Sequence, residues 1–168
     1  RHGAEVINGW AEIVDGKTVD VHAQRPGGMQ TRRVTCEHLL LASGSAPAAL
    51  PSLPFGGRVI SSTEALSPAS IPQRLVVVGA GYIGLELGVA YRKLGAEVAI
   101  VEMLPQVLPA YDAELARPVA ASLRRLGISL HLGCTVQGMS EAGDAVRMRD
   151  AHGEQQQLHA DQVLVAIG

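Results

Sequence analysis

Residues Leu75–Glu102 read LVVVGAGYIGLELGVAYRKLGAEVAIVE, and the punctuation of that stretch decides the fold. Leu75 to Val78 is an apolar, β-branched run of the kind buried in a sheet. Gly79, Gly81 and Gly84 follow as a G-x-G-x-x-G array, a helical stretch runs on to Gly95, and a second apolar strand, Val98 to Val101, ends on Glu102. Strand, glycine turn, helix and strand make a βαβ unit. Along the helix, Ile83, Leu87, Ala90 and Leu94 recur at helical spacing, which predicts that this face lies on the sheet.

The glycines let an anion touch backbone N–H groups at a helix start, where the dipole and unpaired donors favour negative charge. Gly79 is assigned the tight turn, Gly81 the close approach of a pyrophosphate, and Gly84 the packing of helix against strand. Glu102 stands eighteen residues past Gly84, at a strand end, where a carboxylate accepts hydrogen bonds from the adenosine ribose of NAD. A 2′-phosphate there would set like charges about 4 Å apart, a repulsion of a few kcal/mol at an effective dielectric near 20. No cation compensates, because Met103, Leu104 and Pro105 follow and the next basic residue is Arg117. NAD is therefore favoured over NADP. The plainer alternatives are a glycine-rich turn in another α/β protein and the glycine loop of a methyltransferase. The full spacing with its terminal acid argues for the dinucleotide.

At 168 residues the chain has room for one ordinary domain, or a domain with part of another. A hydrophobic content of 47% against 18% charged fits buried sheets and excludes a disordered chain, and with 3% aromatics the core must be aliphatic. A net charge of −2 offers no basic field for nucleic acid. No apolar run reaches the roughly 18 residues that span a bilayer, and no signal-like start is present. Cys36 and Cys134 form no C-x-x-C, and the six histidines are scattered without ligand spacing. Two unpaired thiols in a reducing, cytoplasmic compartment and no metal site are expected. The absence of an initiator Met predicts that the sequence begins inside a larger protein.

In order, residues 6–36 alternate as short strands, EVING, AEIVD, TVDVHA and RRVTC, an antiparallel meander with turns at Asp15-Gly16 and Pro26-Gly27-Gly28. A buried strand is expected over His38 to Leu41, then a small-residue loop over Ala42 to Ala46. Ala48 to Pro72 is a connector with a helical turn at Ser62 to Leu66. Beyond Glu102, Asp112 is placed to cap a helix presenting Leu115, Val119, Leu123 and Leu126, with Pro118 expected to kink it or delay its start. Gly127 ends that helix. A third parallel strand follows over Ile128 to Leu132, then a meander over Thr135 to His159, then a buried return strand in DQVLVAIG. The fold class is thus α/β: a Rossmann-like parallel sheet with an antiparallel β-meander insertion, preceded by a meander-plus-strand segment. The expected domains are 1–65 and 66–168.

This order of parts resembles the flavin-dependent pyridine-nucleotide disulfide oxidoreductases. The carrying motifs are INGWAEI, LLLASGSAP, SSTEAL, VVVGAGYIGLELG, the acid of AIVE, and VLVAIG, which occur in that order over most of the chain. The likeness is strongest to members that reoxidise dihydrolipoamide carried on a lipoyl domain of a 2-oxoacid dehydrogenase complex. It implies that 1–65 is the tail of a first FAD-binding segment and 66–168 an NAD-binding domain. It places Gly79, Gly81, Tyr82, Ile83 and Gly84 at the NAD phosphates, Glu102 at the ribose, Val136 near the adenine and Gly168 on the nicotinamide side. Glu86 matches an acid close to flavin and nicotinamide, with an exposed helix-surface acid as the plainer reading. Tyr82 matches a residue covering the nicotinamide pocket, with ordinary packing as the alternative. On the FAD side it implies Ala11, Ser43, Gly44 and Ser45, where Ser43 stands in place of a customary threonine.

Departures are as informative. The family's C-x-x-x-x-C redox disulfide, its first FAD glycine motif and its C-terminal interface domain with a His-Glu pair are not in this sequence. The expectation is therefore an NAD-binding portion of a homodimeric flavoprotein, itself monomeric and without catalytic residues of its own. NADH oxidase, mercuric reductase and glutathione reductase relatives are the alternatives. As an isolated chain, a non-catalytic dinucleotide-binding module is a further one.

Overall fold

The computed structural model describes residues 3–167, which fall into two compact units divided between Ser45 and Ala46.

The first unit is an antiparallel meander of β1 (Trp10–Asp15), β2 (Thr18–Arg25) and β3 (Gly28–Thr35), in the order β1-β2-β3. The two turns lie where Gly16 and Gly27-Gly28 interrupt the alternation. EVING precedes the first strand as irregular chain. The expected strand at His38 to Leu41 does not form, and Leu40 and Leu41 stand out in solvent. An apolar run alone does not make a strand; its backbone needs a ladder partner, and no parallel strand accompanies it in this unit.

The second unit is built on a five-stranded, all-parallel sheet. Its strands are β4 (Val59–Ile60), β5 (Arg74–Val78), β6 (Glu97–Glu102), β7 (Ser129–Leu132) and β11 (Gln162–Val165), in the spatial order β4-β11-β5-β6-β7. Helices α1 (Ser62–Ala65), α2 (Tyr82–Lys93) and α3 (Ala113–Arg125) connect along the way. A second meander, β8 (Thr135–Met139), β9 (Ala145–Arg149) and β10 (Gln155–His159), is inserted before β11. Alternation along β5 explains the layers. Leu75 and Val77 point into a core shared with Leu85, Tyr91 and Leu123, whereas Val76 and Val78 point into one shared with Val146 and Met148.

The connector packs with this unit, so the compact unit begins at Ala46, twenty residues before the expected 65/66 division. Leu53 is fully buried, Ala48 bridges Ile167, and β4 pairs in parallel with β11. The short α1 begins on a capping box, in which the Ser61 side chain accepts from the Thr63 N–H and the Glu64 carboxylate accepts from the Ser61 N–H. The Ser61 hydroxyl, which also donates to the Glu64 carboxylate, and then the Ser61 N–H hold the Glu64 carboxyl below its ordinary range. The buried Tyr91 hydroxyl donates to the Ala65 carbonyl at 2.9 Å, fastening α1 to α2.

Helix α2 does not turn the expected face to the sheet. Gly84, Leu85, Gly88 and Tyr91 are its buried residues, while Ile83 and Leu94 are exposed. A Cβ on Gly84 would lie 2.2 Å from the Gly79 carbonyl oxygen, and one on Gly88 would touch Ile100, Val98 and Val77. The helix backbone approaches the strands through its glycines, which carry no weight in a hydrophobic pattern. Helix α3 shows a similar offset: Ala116 and Leu123 are buried and Leu115 is exposed. Asp112 is its N-cap residue without a side-chain bond, and Pro118 lies inside the continuous helix. The Arg92 guanidinium donates to the Ala96 and Leu126 carbonyls, joining the chain just past the C-terminal ends of α2 and α3.

Candidate nucleotide-binding cleft

In an open parallel sheet, ligands collect outside the carboxyl ends of the strands, where the connections diverge to opposite sides. Here that place is between β5 and β11. A cleft of about 490 Å³ opens there, lined by Val78, Gly79, Gly81, Tyr82, Ile83, Glu102, Val136 and Ile167, with Met103, Leu104, Pro109 and Cys134 among the other walls. Leu50, from the connector, closes one side.

The three glycines have three different neighbourhoods. Gly79 has φ +104°, and a Cβ on it would lie 2.6 Å from the Ala166 carbonyl oxygen, so both the turn and the approach of the segment after β11 require glycine. Gly84 is required by the helix–strand contact described above. Gly81 alone of the three has open space where its Cβ would stand. Two glycines therefore answer to packing, and one leaves room for something that is not protein.

Gly81 is the N-cap of α2 and caps it with no side-chain bond. The first intrahelical bond is from the Leu85 N–H to the Gly81 carbonyl, at 3.0 Å. The N–H groups of Gly81, Tyr82, Ile83 and Gly84 meet no protein acceptor among the described residues. These are donors at the positive end of a twelve-residue helix, facing a cleft.

Glu102 is one of two buried polar residues among those described, 9% exposed. Its Oε2 accepts from the Ala80 N–H at 2.8 Å and its Oε1 from the Leu104 N–H at 2.9 Å. The carboxylate thus bridges the glycine loop and the turn after β6 while lining the cleft. Each oxygen keeps a further lone pair, so a diol can still bond to it. Sequence reasoning assigned Glu102 a ligand role and missed this bracing role; its burial at a strand end is the feature that discloses it.

The surrounding walls are tied together through backbone. The Gly79 N–H donates to the Val101 carbonyl, the Cys134 N–H to the Glu102 carbonyl and the Gly133 N–H to the Leu104 carbonyl. Burial, with Asp150 nearby, pushes the Cys134 thiol above its ordinary range, so it behaves as an inert apolar wall. Both cysteines are free.

The other anticipated residues divide. Gly79, Gly81, Tyr82, Ile83, Glu102 and Val136 share the cleft, with Tyr82 exposed at its mouth. Gly84 lies just behind it. Glu86 is exposed on α2. Ala11, Ser43, Gly44 and Ser45 are all exposed, and they line neither this cleft nor a second one of about 310 Å³ by Arg74 and His131. The residues here therefore fit a dinucleotide in the second unit. Gly168 lies outside the described residues. No described helix is long and apolar enough to cross a membrane.

Parallel sheet, glycine turn and strand-end acid define an α/β protein of the Rossmann-like class. The family model of the pyridine nucleotide-disulphide oxidoreductases matches residues 1–168, and the chain belongs to that family. It is 60% identical over 168 residues to a dihydrolipoyl dehydrogenase of Pseudomonas aeruginosa, covering all of this chain and 35% of that protein. It is 38% identical over 170 residues to a dihydrolipoyl dehydrogenase of Haloferax volcanii, covering 99% of this chain and 36% of that protein. Among solved structures, the HOCl-induced flavoprotein disulfide reductase RclA of Escherichia coli, as its Cu(II) complex, superimposes with a TM-score of 0.76 at 29% identity, over 98% of this chain and 36% of that one. The chain spans about a third of the length of the relatives it matches.

Proposed function

We propose that this chain is the NAD(H)-binding part of a flavin-dependent dihydrolipoyl dehydrogenase. The observation that carries the reading is the set of unpartnered N–H donors at the start of α2, beside the open face of Gly81, with the Glu102 carboxylate turned into the same cleft. The diphosphate of NAD fits the donors, and the adenosine ribose fits Glu102. Val136 is offered to the adenine and Gly168 to the nicotinamide side. The 60% identity to a dihydrolipoyl dehydrogenase supports the choice within the family.

NAD supplies the hydride acceptor. The chain's own residues hold and orient it: the α2 amides fix the diphosphate, Glu102 fixes the ribose and disfavours a 2′-phosphate, and Tyr82 covers the mouth. Glu86, exposed on α2, is the acid offered toward a flavin. FAD, with Ala11 and Ser43 to Ser45 among its contacts, would be bound where more of the protein's length meets the first unit. The domains are then an FAD-side segment and an NAD-binding domain. A homodimeric parent acting on the lipoyl domain of a 2-oxoacid dehydrogenase complex follows from the same reading.

The test is turnover by the full-length polypeptide that carries this sequence. With FAD bound it should convert dihydrolipoamide and NAD to lipoamide and NADH. No turnover of dihydrolipoamide, alongside NADH-driven reduction of another substrate, would move it to another branch of the family. The 168-residue chain by itself should carry no flavin absorbance; FAD retained stoichiometrically through purification would overturn the division of labour proposed here.

A further inference from the structure

The loop after β6 contains Leu108, the one described non-glycine residue with a left-handed backbone, at φ +49°. A bulky residue in that region is an outlier that the surrounding structure must enforce. Its surroundings do so. Val107 before it is buried, its own side chain packs against the helix-side core, and the Tyr111 N–H donates to its carbonyl at 2.9 Å. With its backbone so turned, the Leu108 N–H donates to the Ala80 carbonyl at 2.8 Å.

Ala80 is the residue between Gly79 and Gly81, and it is held from both sides. Glu102 takes its N–H and Leu108 supplies its carbonyl with a donor. The direction of that carbonyl sets the plane of the Ala80–Gly81 peptide, whose N–H is the first of the unpartnered donors. The same loop sends Met103, Leu104 and Pro109 to the cleft wall. We propose that Leu108 is a positioning residue for dinucleotide binding: its left-handed backbone latches the glycine loop so that the α2 donors converge before a ligand arrives. The idea rests on the NAD reading of the cleft, but the latch has its own readout.

Three variants separate the backbone from the side chain. Leu108→Pro removes the N–H and forces φ negative. Leu108→Val keeps the N–H but opposes the left-handed backbone. Leu108→Gly keeps the N–H and adopts that backbone freely. In the full-length polypeptide, NADH and ADP-ribose should both bind about tenfold more weakly to Leu108→Pro, about three- to fivefold more weakly to Leu108→Val, and within about twofold of wild type to Leu108→Gly. If proline prevents folding, the valine and glycine pair carries the test. Equal losses in the glycine and valine variants would mean that side-chain packing matters and the latch does not, overturning the proposal. Hydrogen exchange without nucleotide reads the latch directly: the N–H groups at positions 108 and 80, bonded to the Ala80 carbonyl and to the Glu102 carboxylate, should exchange faster in Leu108→Val than in Leu108→Gly. Identical exchange in the two would overturn the latch. Faster exchange with no NADH binding by any form, wild type included, would uphold the latch and reject the NAD reading.

Discussion

The two units use the same kind of antiparallel meander to opposite effect. In the second unit, β8 to β10 lies on a parallel sheet, and Val146 and Met148 are fully buried between them. In the first, every residue of β1 is exposed, Val21 is the single buried hydrophobic residue among those described, and Trp10, Ile13 and Met29 face solvent. Backbone ladders hold it, together with surface pairs such as Arg32 with Glu5. Surface pairs of this kind contribute little. A meander becomes a wall of a site only when another layer covers one of its faces.

The sharpest way to break the contrast is a side chain on a glycine. Gly84→Val should destabilise the second unit by about 4 kcal/mol, since its Cβ would overlap the Gly79 carbonyl. Gly16→Ala in the first unit, with no atom within 4 Å, should change stability by less than about 0.5 kcal/mol in denaturant unfolding. Core truncation comes next. Ile100→Ala should cost about 3 kcal/mol, whereas Ile13→Ala, already half in solvent, should cost about 0.5 kcal/mol or less.

Polar truncation sharpens the comparison further. Glu102→Ala strands the Ala80 and Leu104 N–H groups and should cost about 2 kcal/mol, together with about a tenfold loss of NADH affinity by fluorescence titration. Asp20→Ala in the first meander should show no comparable loss in either measurement. The smallest effect concerns pH. Burial holds the His131 imidazole below its ordinary range, so the unfolded chain binds its proton more readily. Stability should therefore fall as pH drops below about 6.5 toward the depressed folded value. His131→Leu should flatten that slope in melting curves taken from pH 5 to 7.

What the sequence disclosed follows from what periodicity measures. The βαβ unit was legible because its strands are apolar, its glycines are spaced and its acid ends a strand. The turn at Gly79 and the helix–strand packing at Gly84 were also legible, since each follows from backbone geometry. The buried face of α2 was not, because Gly84 and Gly88 make the closest contacts and have no hydrophobicity to count. The two-residue β4 is defined by its partner β11, about a hundred positions further on, and has no pattern of its own. His38 to Leu41 failed in the converse way, having the pattern without the partner. At the site, Leu108 carries none of the Gly or Asn signals of a left-handed turn, and the bracing role of Glu102 depends on contacts to Ala80 and Leu104 that no spacing encodes.

The measurement that bears most directly on the account is a titration with NADH and, separately, NADPH, followed at the backbone amide resonances of residues 79–84. The account predicts that NADH moves the Gly81 to Gly84 amides saturably and that NADPH does so about tenfold more weakly or worse. Equal affinities for the two nucleotides, or binding that leaves those four amides unmoved, would contradict it.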